Sequence, residues 1–374
     1  MNIKSLLLGS AAALVAVSGA RAADAVTVAE PEPAEYVKIC DVYGSGYFYI
    51  PGTETCLRIG GYVRYDASAG EEGSFTGRGT TDRLDGDSQR SWSKTARFAL
   101  KTWTGQETEL GTLKTYTETR FDYSNGANKA VDTHFAWVQL GGLRIGADES
   151  AFDTFSGYAG SVINDTLVPY GGFGTNLISY TFDAGNGFSA IVSFEEGNAA
   201  PTYLFAGSEV IDSYVPHIVG GVKYTQGWGS ISGVVAYNSN WEEYSGKIRL
   251  DVNVNDALSL FVMGGYGSDK NVPRNFYKPW GGNWAVWGGG TYKFNEKTSF
   301  NLQVSYDDAK EFGLAANVAY TIVPGFSVIT ELDWAHNNHS TTSDFGGTYT
   351  YNWTGIPSDK KNALGGFVRF QRDF

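Results

Sequence analysis

From residue 57 to residue 374 the chain alternates apolar and polar positions with period two. In 298–307, Phe300, Leu302, Val304 and Tyr306 share one face, while Asn301, Gln303, Ser305 and Asp307 share the other. The segment 57–66 sets Leu57, Ile59, Val63 and Tyr65 against Arg58, Tyr62 and Arg64. In 247–254, Ile248, Leu250, Val252 and Val254 oppose Lys247, Arg249, Asp251 and Asn253. Successive strand side chains point to opposite faces, so each segment has one apolar and one hydrophilic wall. A soluble sandwich would cover the apolar wall with a second sheet or with helices. No helical periodicity follows the N-terminal twenty-two residues, which leaves lipid as the cover.

The connections support that reading, because short and long ones alternate. Short turns fall at Gly141-Gly142, Gly185-Asn186-Gly187, Gly227-Trp228-Gly229, Asn255-Asp256, Asn295-Glu296-Lys297 and Pro324-Gly325. Longer polar stretches lie at 67–92, 149–175, 196–216, 268–283 and 337–361. Short turns at one end and long loops at the other mark a membrane barrel. The pattern predicts strands at 57–67, 93–104, 112–123, 131–140, 143–148, 176–184, 187–195 and 217–226. It continues with 229–239, 243–254, 258–267, 284–294, 298–307, 311–322, 326–336 and 362–374. The expected fold is therefore all-β, a transmembrane antiparallel barrel of about sixteen strands, wide enough for an aqueous channel. Within 131–148, Phe135, Trp137 and Val138 interrupt the alternation, through burial on both faces or a shifted register.

The N-terminus sets the compartment. Lys4, the apolar run 6–17 and Ala20-Arg21-Ala22 have the order of a secretory signal peptide, expected at 1–22. That run is too short to span a bilayer as a helix. Removing it takes away Lys4 and Arg21 and no acid, so the remaining chain is two units more negative than -12. Such a chain lacks the basic surface that nucleic acid requires. A Pro- and Glu-containing leader follows, with Pro31 and Pro33, in a segment 23–56 that precedes the barrel at 57–374. With Tyr 23, Phe 22, Trp 10 and Gly 48 but only Met 2, the composition suits aromatic girdles and glycine-rich strands. The mean hydropathy of -0.23 suits a wet interior.

Cys40 and Cys56 are the only cysteines of an exported chain. A turn-rich stretch separates them, so a disulfide closing this segment is expected in an oxidising compartment. The four histidines, His134, His217, His336 and His339, show no metal-ligand spacing with Cys or Glu. Glycine runs at Gly44 and Gly171 precede no helix, so they are not nucleotide loops. No catalytic pair, cofactor site or metal site emerges, and the chain is not read as an enzyme.

Several stretches resemble the rhizobial-type alphaproteobacterial outer-membrane porins. They are YFYIPGTETCLRIGGYVRYD ending at Asp66, ETELGTLKTYTETRFDY ending at Tyr123, QLGGLRIG ending at Gly146, GGNWAVWGG ending at Gly289 and GGFVRFQRDF ending at Phe374. The resemblance covers nearly the whole chain after the signal peptide. It implies a trimer in the bacterial outer membrane, in contact with its lipid, for passive passage of small hydrophilic solutes and ions. A terminal Phe374 on an alternating strand matches barrels inserted by the outer-membrane assembly machinery, although Arg372 stands where an apolar residue is usual.

In such porins the loop after the fifth strand folds inward and narrows the bore. Here that loop is 149–175, too long for a plain connection, with Phe152, Phe155, Tyr158, Val162 and Leu167 as apolar anchors. Its expected constriction acids are Glu149, Asp153 and Asp165, with Asp148 at its root. The facing bases, by parity on the polar wall, are Arg58, Arg64, Arg97, Lys101, Lys114, Arg120, Arg144 and Arg369. Acids against bases across a constriction would set up a transverse field. An alternative reading is a sugar-selective channel in which Tyr62, Trp103 and Tyr116 stack on sugar rings.

Overall fold

The computed structural model describes residues 38–71, 77–199, 209–268, 270, 275–344, 347–350, 356 and 359–374. The expected signal peptide, 1–22, and the leader through residue 37 lie outside the described residues.

Sixteen antiparallel strands follow one another around a barrel. They are β1 Cys56–Gly70, β2 Ser93–Thr108, β3 Gly111–Ser124, β4 Asp132–Leu140, β5 Leu143–Glu149, β6 Gly174–Asp183, β7 Phe188–Glu195 and β8 His217–Gln226. The second half comprises β9 Gly229–Asn238, β10 Glu243–Asn253, β11 Leu258–Gly267, β12 Trp284–Asn295, β13 Thr298–Asp307, β14 Phe312–Val323, β15 Phe326–His336 and β16 Asn362–Asp373. Closure is direct. Tyr65 of β1 faces Ala96 of β2 on one side and Phe370 of β16 on the other. The last residue fastens this seam: Phe374 N–H donates to the Gly61 carbonyl and Gly61 N–H to the Phe374 carbonyl, both at 3.1 Å. Only glycine fits at residue 61, because a Cβ there would fall 2.0 Å from the Ala99 carbonyl oxygen.

Burial is inverted relative to a soluble protein, and this settles which wall faces lipid. Ile248 and Leu332 are 61% exposed, whereas Gln303 and Glu331 are fully buried. The apolar wall points out and the polar wall points in, in register on neighbouring strands. Aromatic residues flank the short turns: Phe182 and Phe188 bracket one, Tyr292 and Phe294 precede another, and Tyr320 precedes a third. They form the interfacial belt expected at a membrane boundary.

Strand positions follow the alternation closely, with two informative departures. β2 and β3 run further toward each other than expected, because Gln106 and Glu107 pair with Leu113 and Thr112. In β4 the interruption is a β-bulge at His134: Glu118 pairs with Phe135, but Thr119 pairs with Thr133. The extra residue shifts parity, so Phe135 and Trp137 share the bore face with Gln139.

The Cys40–Cys56 disulfide is present, with Cα atoms 6.0 Å apart. It closes a small element in which Phe48–Tyr49 pairs with the start of β1. The Tyr43 hydroxyl donates to Glu107 at 2.9 Å, at the short-turn end of β2. Removing the bond with Cys40→Ser and Cys56→Ser should destabilise this segment by roughly 3 kcal/mol on the chain-entropy account. Limited proteolysis should then cut within 41–55 before it cuts the barrel; unchanged resistance would contradict the assignment.

Candidate functional site

The long connection between β5 and β6 begins with a single helical turn, α1 Ala151–Thr154. Ser150 caps it, its Oγ accepting from Phe152 N–H at 3.1 Å. The same hydroxyl donates to Glu195 Oε2 at 2.6 Å, and Ala151 N–H donates to Glu195 Oε1 at 2.9 Å. The cap and the wall of β7 therefore hold the loop entrance together.

From there the loop runs along the inner wall as far as β15. Asp153 and Lys247 form a fully buried ion pair at 2.9 Å, and Lys247 also donates to the Tyr170 carbonyl at 2.8 Å. Arg249 donates to the Tyr158 carbonyl, and Asn317 Nδ2 donates to the Ser161 carbonyl at 3.2 Å. Glu331 accepts from the N–H groups of Ile163 and Asn164 at 2.5 and 2.8 Å. Gln303 and Trp287 donate to the carbonyls of Asp165 and Val168 at 2.6 and 2.8 Å. A segment without regular structure is thus held by wall side chains that satisfy its backbone polar groups, as burial requires.

A second connection also turns inward. Phe276, Tyr277, Lys278 and Trp280, between β11 and β12, are completely buried. Tyr277 donates to Glu195 Oε2 at 3.0 Å and its ring meets Phe152 edge-on at 5.5 Å. Trp280 packs against Trp287, with centroids 5.5 Å apart. Glycine opens the space for Lys278, since a Cβ on Gly267 would lie 2.2 Å from its Cδ. The polar stretch expected at 268–283 thus ends in an apolar buttress for the constriction loop. Its signal was the cluster Phe276-Tyr277-Lys278-Pro279-Trp280.

The loop therefore lies over β7 to β15, and the wall made by β16 and β1 to β5 is left open to the bore. All eight expected bases stand on that open wall, but most already have partners. Arg97 forms a two-pronged pair with Asp122 at 2.7 and 2.8 Å. Arg369 does the same with Asp66 at 2.8 and 3.0 Å. Glu118 accepts Arg120 at 2.6 Å and lies 3.3 Å from Lys101. Arg64 donates to Gln371 at 2.7 Å. Among the described residues, Arg58, Arg64 and Lys114 form no ion pair; Arg58 instead lies over the Trp103 ring, 4.7 Å from its centroid.

Two of the expected constriction acids are placed differently from the sequence expectation. Asp153 points into the wall, not the bore, because Lys247 on the polar face of β10 captures it. Asp148 belongs to the basic wall, where it accepts Arg144 at 2.6 Å. Glu149 meets the bulged His134, whose Nε2 is 3.8 Å from Glu149 Oε1, and accepts the Tyr158 hydroxyl. Asp165 is half-buried, and its carboxyl accepts the Tyr170 hydroxyl at 2.5 Å. Desolvation pushes the Asp165 carboxyl up to about 7, against the hydrogen bond from Tyr170, which holds it down. The acids that sequence reasoning missed are Asp66, Glu118 and Asp122. Their parity matches that of Arg58, Lys114 and Arg120, so the alternation itself marked them as bore residues.

Comparison with known proteins agrees with this architecture. The model of the Porin subfamily matches residues 24–367. Porin Omp2b of Brucella canis and of Brucella abortus is 50% identical over 386 aligned residues, covering 100% of both chains. Among solved structures, the outer membrane channel DcaP of Acinetobacter baumannii superposes with a TM-score of 0.62 at 18% identity, covering 87% of this chain and 99% of that one. The anion-selective porin from Comamonas acidovorans gives 0.53 at 18% identity, covering 86% and 100%. At these identities the two structures speak for the fold alone.

Two outcomes follow from the loop geometry. Lys247→Met leaves Asp153 buried without its cation, a loss on the order of 3–5 kcal/mol at the attachment point. Single-channel recordings should show new flickering that Lys247→Met combined with Asp153→Leu suppresses; quiet traces from the single variant would contradict the clamp. Asp165 gains a proton as pH falls through about 7, so the bore loses a negative charge. The potassium-over-chloride permeability ratio should fall between pH 8 and pH 6. In Asp165→Asn that fall should be smaller; an identical fall in the variant would remove Asp165 as its source.

Proposed function

The chain belongs to the porin subfamily and is a general diffusion porin of the bacterial outer membrane; from that premise we propose how its bore sorts solutes and how its copies assemble. Family and fold indicate a channel and not an enzyme. On our reading the protein has no catalytic role and holds no cofactor or metal. Each barrel passes small hydrophilic solutes and ions down their gradients. Such solutes need not leave water, because the polar wall of a sixteen-stranded barrel encloses an aqueous channel. The observation that carries this reading is the inversion of burial: carboxylates, amides and hydroxyls line the inside while aliphatic side chains cover the outside.

The segment 150–173 narrows the bore, and the wall formed by β16 and β1 to β5 stands across from it. Glu149 and Asp165 supply negative charge at the loop, and the open wall supplies the bases. Their field orients dipolar solutes and slows apolar ones, since charges act strongly at close quarters in a narrow channel. Because Asp66, Glu118, Asp122 and Asp148 neutralise much of the wall locally, Arg58, Arg64 and Lys114 have the largest part in selectivity.

Assembly into a homotrimer is supported by the outer face of β2 and β3. There Thr102 bonds Thr117 at 2.7 Å and Thr104 bonds Thr115 at 2.6 Å between hydroxyls. Register puts them on the lipid side, since Thr102 pairs with the outward Ile59. Acyl chains offer hydroxyls nothing, whereas another copy of the chain covers such a patch. Phe374, at the seam between β16 and β1, suits recognition by the barrel assembly machinery after removal of residues 1–22.

Reconstitution in a planar bilayer should give large conductance steps grouped in threes; silence across several salts and voltages would overturn the channel reading. Thr117→Trp is acceptable to lipid but too bulky for a close interface. It should convert trimers to folded monomers on a non-denaturing detergent gel, and a trimer band of unchanged strength would exclude this face.

A further inference from the structure

We infer that the inner wall of β1 to β4 carries a binding station for ring-bearing carboxylates, centred on Arg58 and an aromatic shelf. The inference rests on the channel reading above and goes beyond it, because a general diffusion pore needs no binding site.

The shelf is a product of register. Arg58, Trp103, Tyr116 and Trp137 are direct cross-strand partners on four consecutive strands, all on the bore face. Trp103 and Tyr116 stack with centroids 5.4 Å apart, and Tyr116 meets Trp137 at 5.6 Å and Phe135 at 5.5 Å. The bulge at His134 gives Phe135 and Trp137 their place on this face, so the same irregularity that interrupts the alternation completes the shelf. All four rings are half-buried, and each keeps some surface toward the bore.

Charge decides the class of solute. The shelf and the row on either side of it hold four bases, Arg58, Lys101, Lys114 and Arg144, against the acids Glu118 and Asp148. Glu118 is shared by Arg120, Lys101 and the Tyr116 hydroxyl, and Asp148 is taken by Arg144. Arg58 keeps its fork of donors free of any carboxylate among the described residues while its plane rests on Trp103. A guanidinium of that kind recognises a carboxylate with two parallel hydrogen bonds. The Cys40–Cys56 element overhangs it, since a Cβ on Gly46 would lie 3.7 Å from Arg58 Nε. The Tyr43 ring rests on Gly105, one position along the same face from Trp103.

Sugar stacking fits less well. The Trp103 and Trp137 rings already carry guanidinium groups, at 4.7 and 4.1 Å, and Tyr62 is covered by Arg64 and Lys101. A flat arene beside Tyr116 with its carboxylate on Arg58 uses both halves of the station.

The test is current block in planar bilayers at fixed KCl and pH 7, titrating benzoate, acetate, benzamide and glucose separately. Benzoate should reduce the current saturably in the millimolar range, at least about fivefold more effectively than acetate or benzamide. Arg58→Gln and Trp103→Leu should each weaken that block about fivefold, whereas Trp103→Phe should retain most of it, because the aromatic face survives. Equal effects of benzoate and acetate, or of benzoate and benzamide, would overturn the station. So would a stronger block by glucose, or a benzoate block unchanged in both Arg58→Gln and Trp103→Leu. Channels that conduct KCl normally but ignore benzoate would sink this inference alone, whereas absence of conductance in KCl would sink the channel reading beneath it.

Discussion

The structure depends on a single constraint: in hydrocarbon every backbone N–H and C=O must find a partner within the protein. Each unsatisfied group costs several kcal/mol there, so a sheet can cross a membrane only if it has no free edge. The seam between β1 and β16 meets that requirement, with nine paired positions from Tyr62–Asp373 to Gly70–Gly365. The reciprocal bonds between Gly61 and Phe374 extend it to the final residue. Once the cylinder is closed, strand pleating does the rest. One set of side chains must meet lipid and the other must meet whatever fills the bore.

A bore of this width would be a plain hole without the two connections that turn into it. They are held by the same logic as the wall, applied to irregular backbone. Glu195 and Glu331 accept N–H groups from the constriction loop, while Gln303, Trp287, Asn317 and Lys247 donate to its carbonyls. Polar side chains on the inner face of β7 to β15 are thus largely spent on holding the loop, whereas those of β16 and β1 to β5 remain exposed to solute. This division of labour, more than the net charge of the chain, gives the channel its asymmetric interior.

Most of the architecture was legible in the sequence because its cause is local and periodic. Phe300 to Asp307 shows it: lipid and water select side chains position by position, and the alternation records the selection. Strand number and the order of short turns and long loops were readable for the same reason, and the disulfide because Cys40 and Cys56 are the only two cysteines. The loop between β5 and β6 was readable by its length and apolar anchors, but the direction of its acids was not. Asp153 and Lys247 are 94 residues apart, and no local pattern announces that they meet. The bulge at His134 was visible as broken alternation, yet its consequence, a parity shift that turns Phe135 and Trp137 inward, required the partner strand. The acids Asp66, Glu118 and Asp122 share the parity of the bases, so the alternation marks their face, while the base each one holds depends on cross-strand register.

The account stands or falls on period-two access to water along a membrane strand. The two native cysteines are joined, so a single introduced thiol is unique. Cysteines placed one at a time at Arg97, Phe98, Leu100, Lys101, Thr102 and Trp103 of β2 can be treated with a charged, membrane-impermeant thiol reagent in reconstituted channels. The account predicts labelling and a change of conductance at 97, 101 and 103 but not at 98, 100 and 102. Uniform labelling, or labelling confined to 98, 100 and 102, would contradict it.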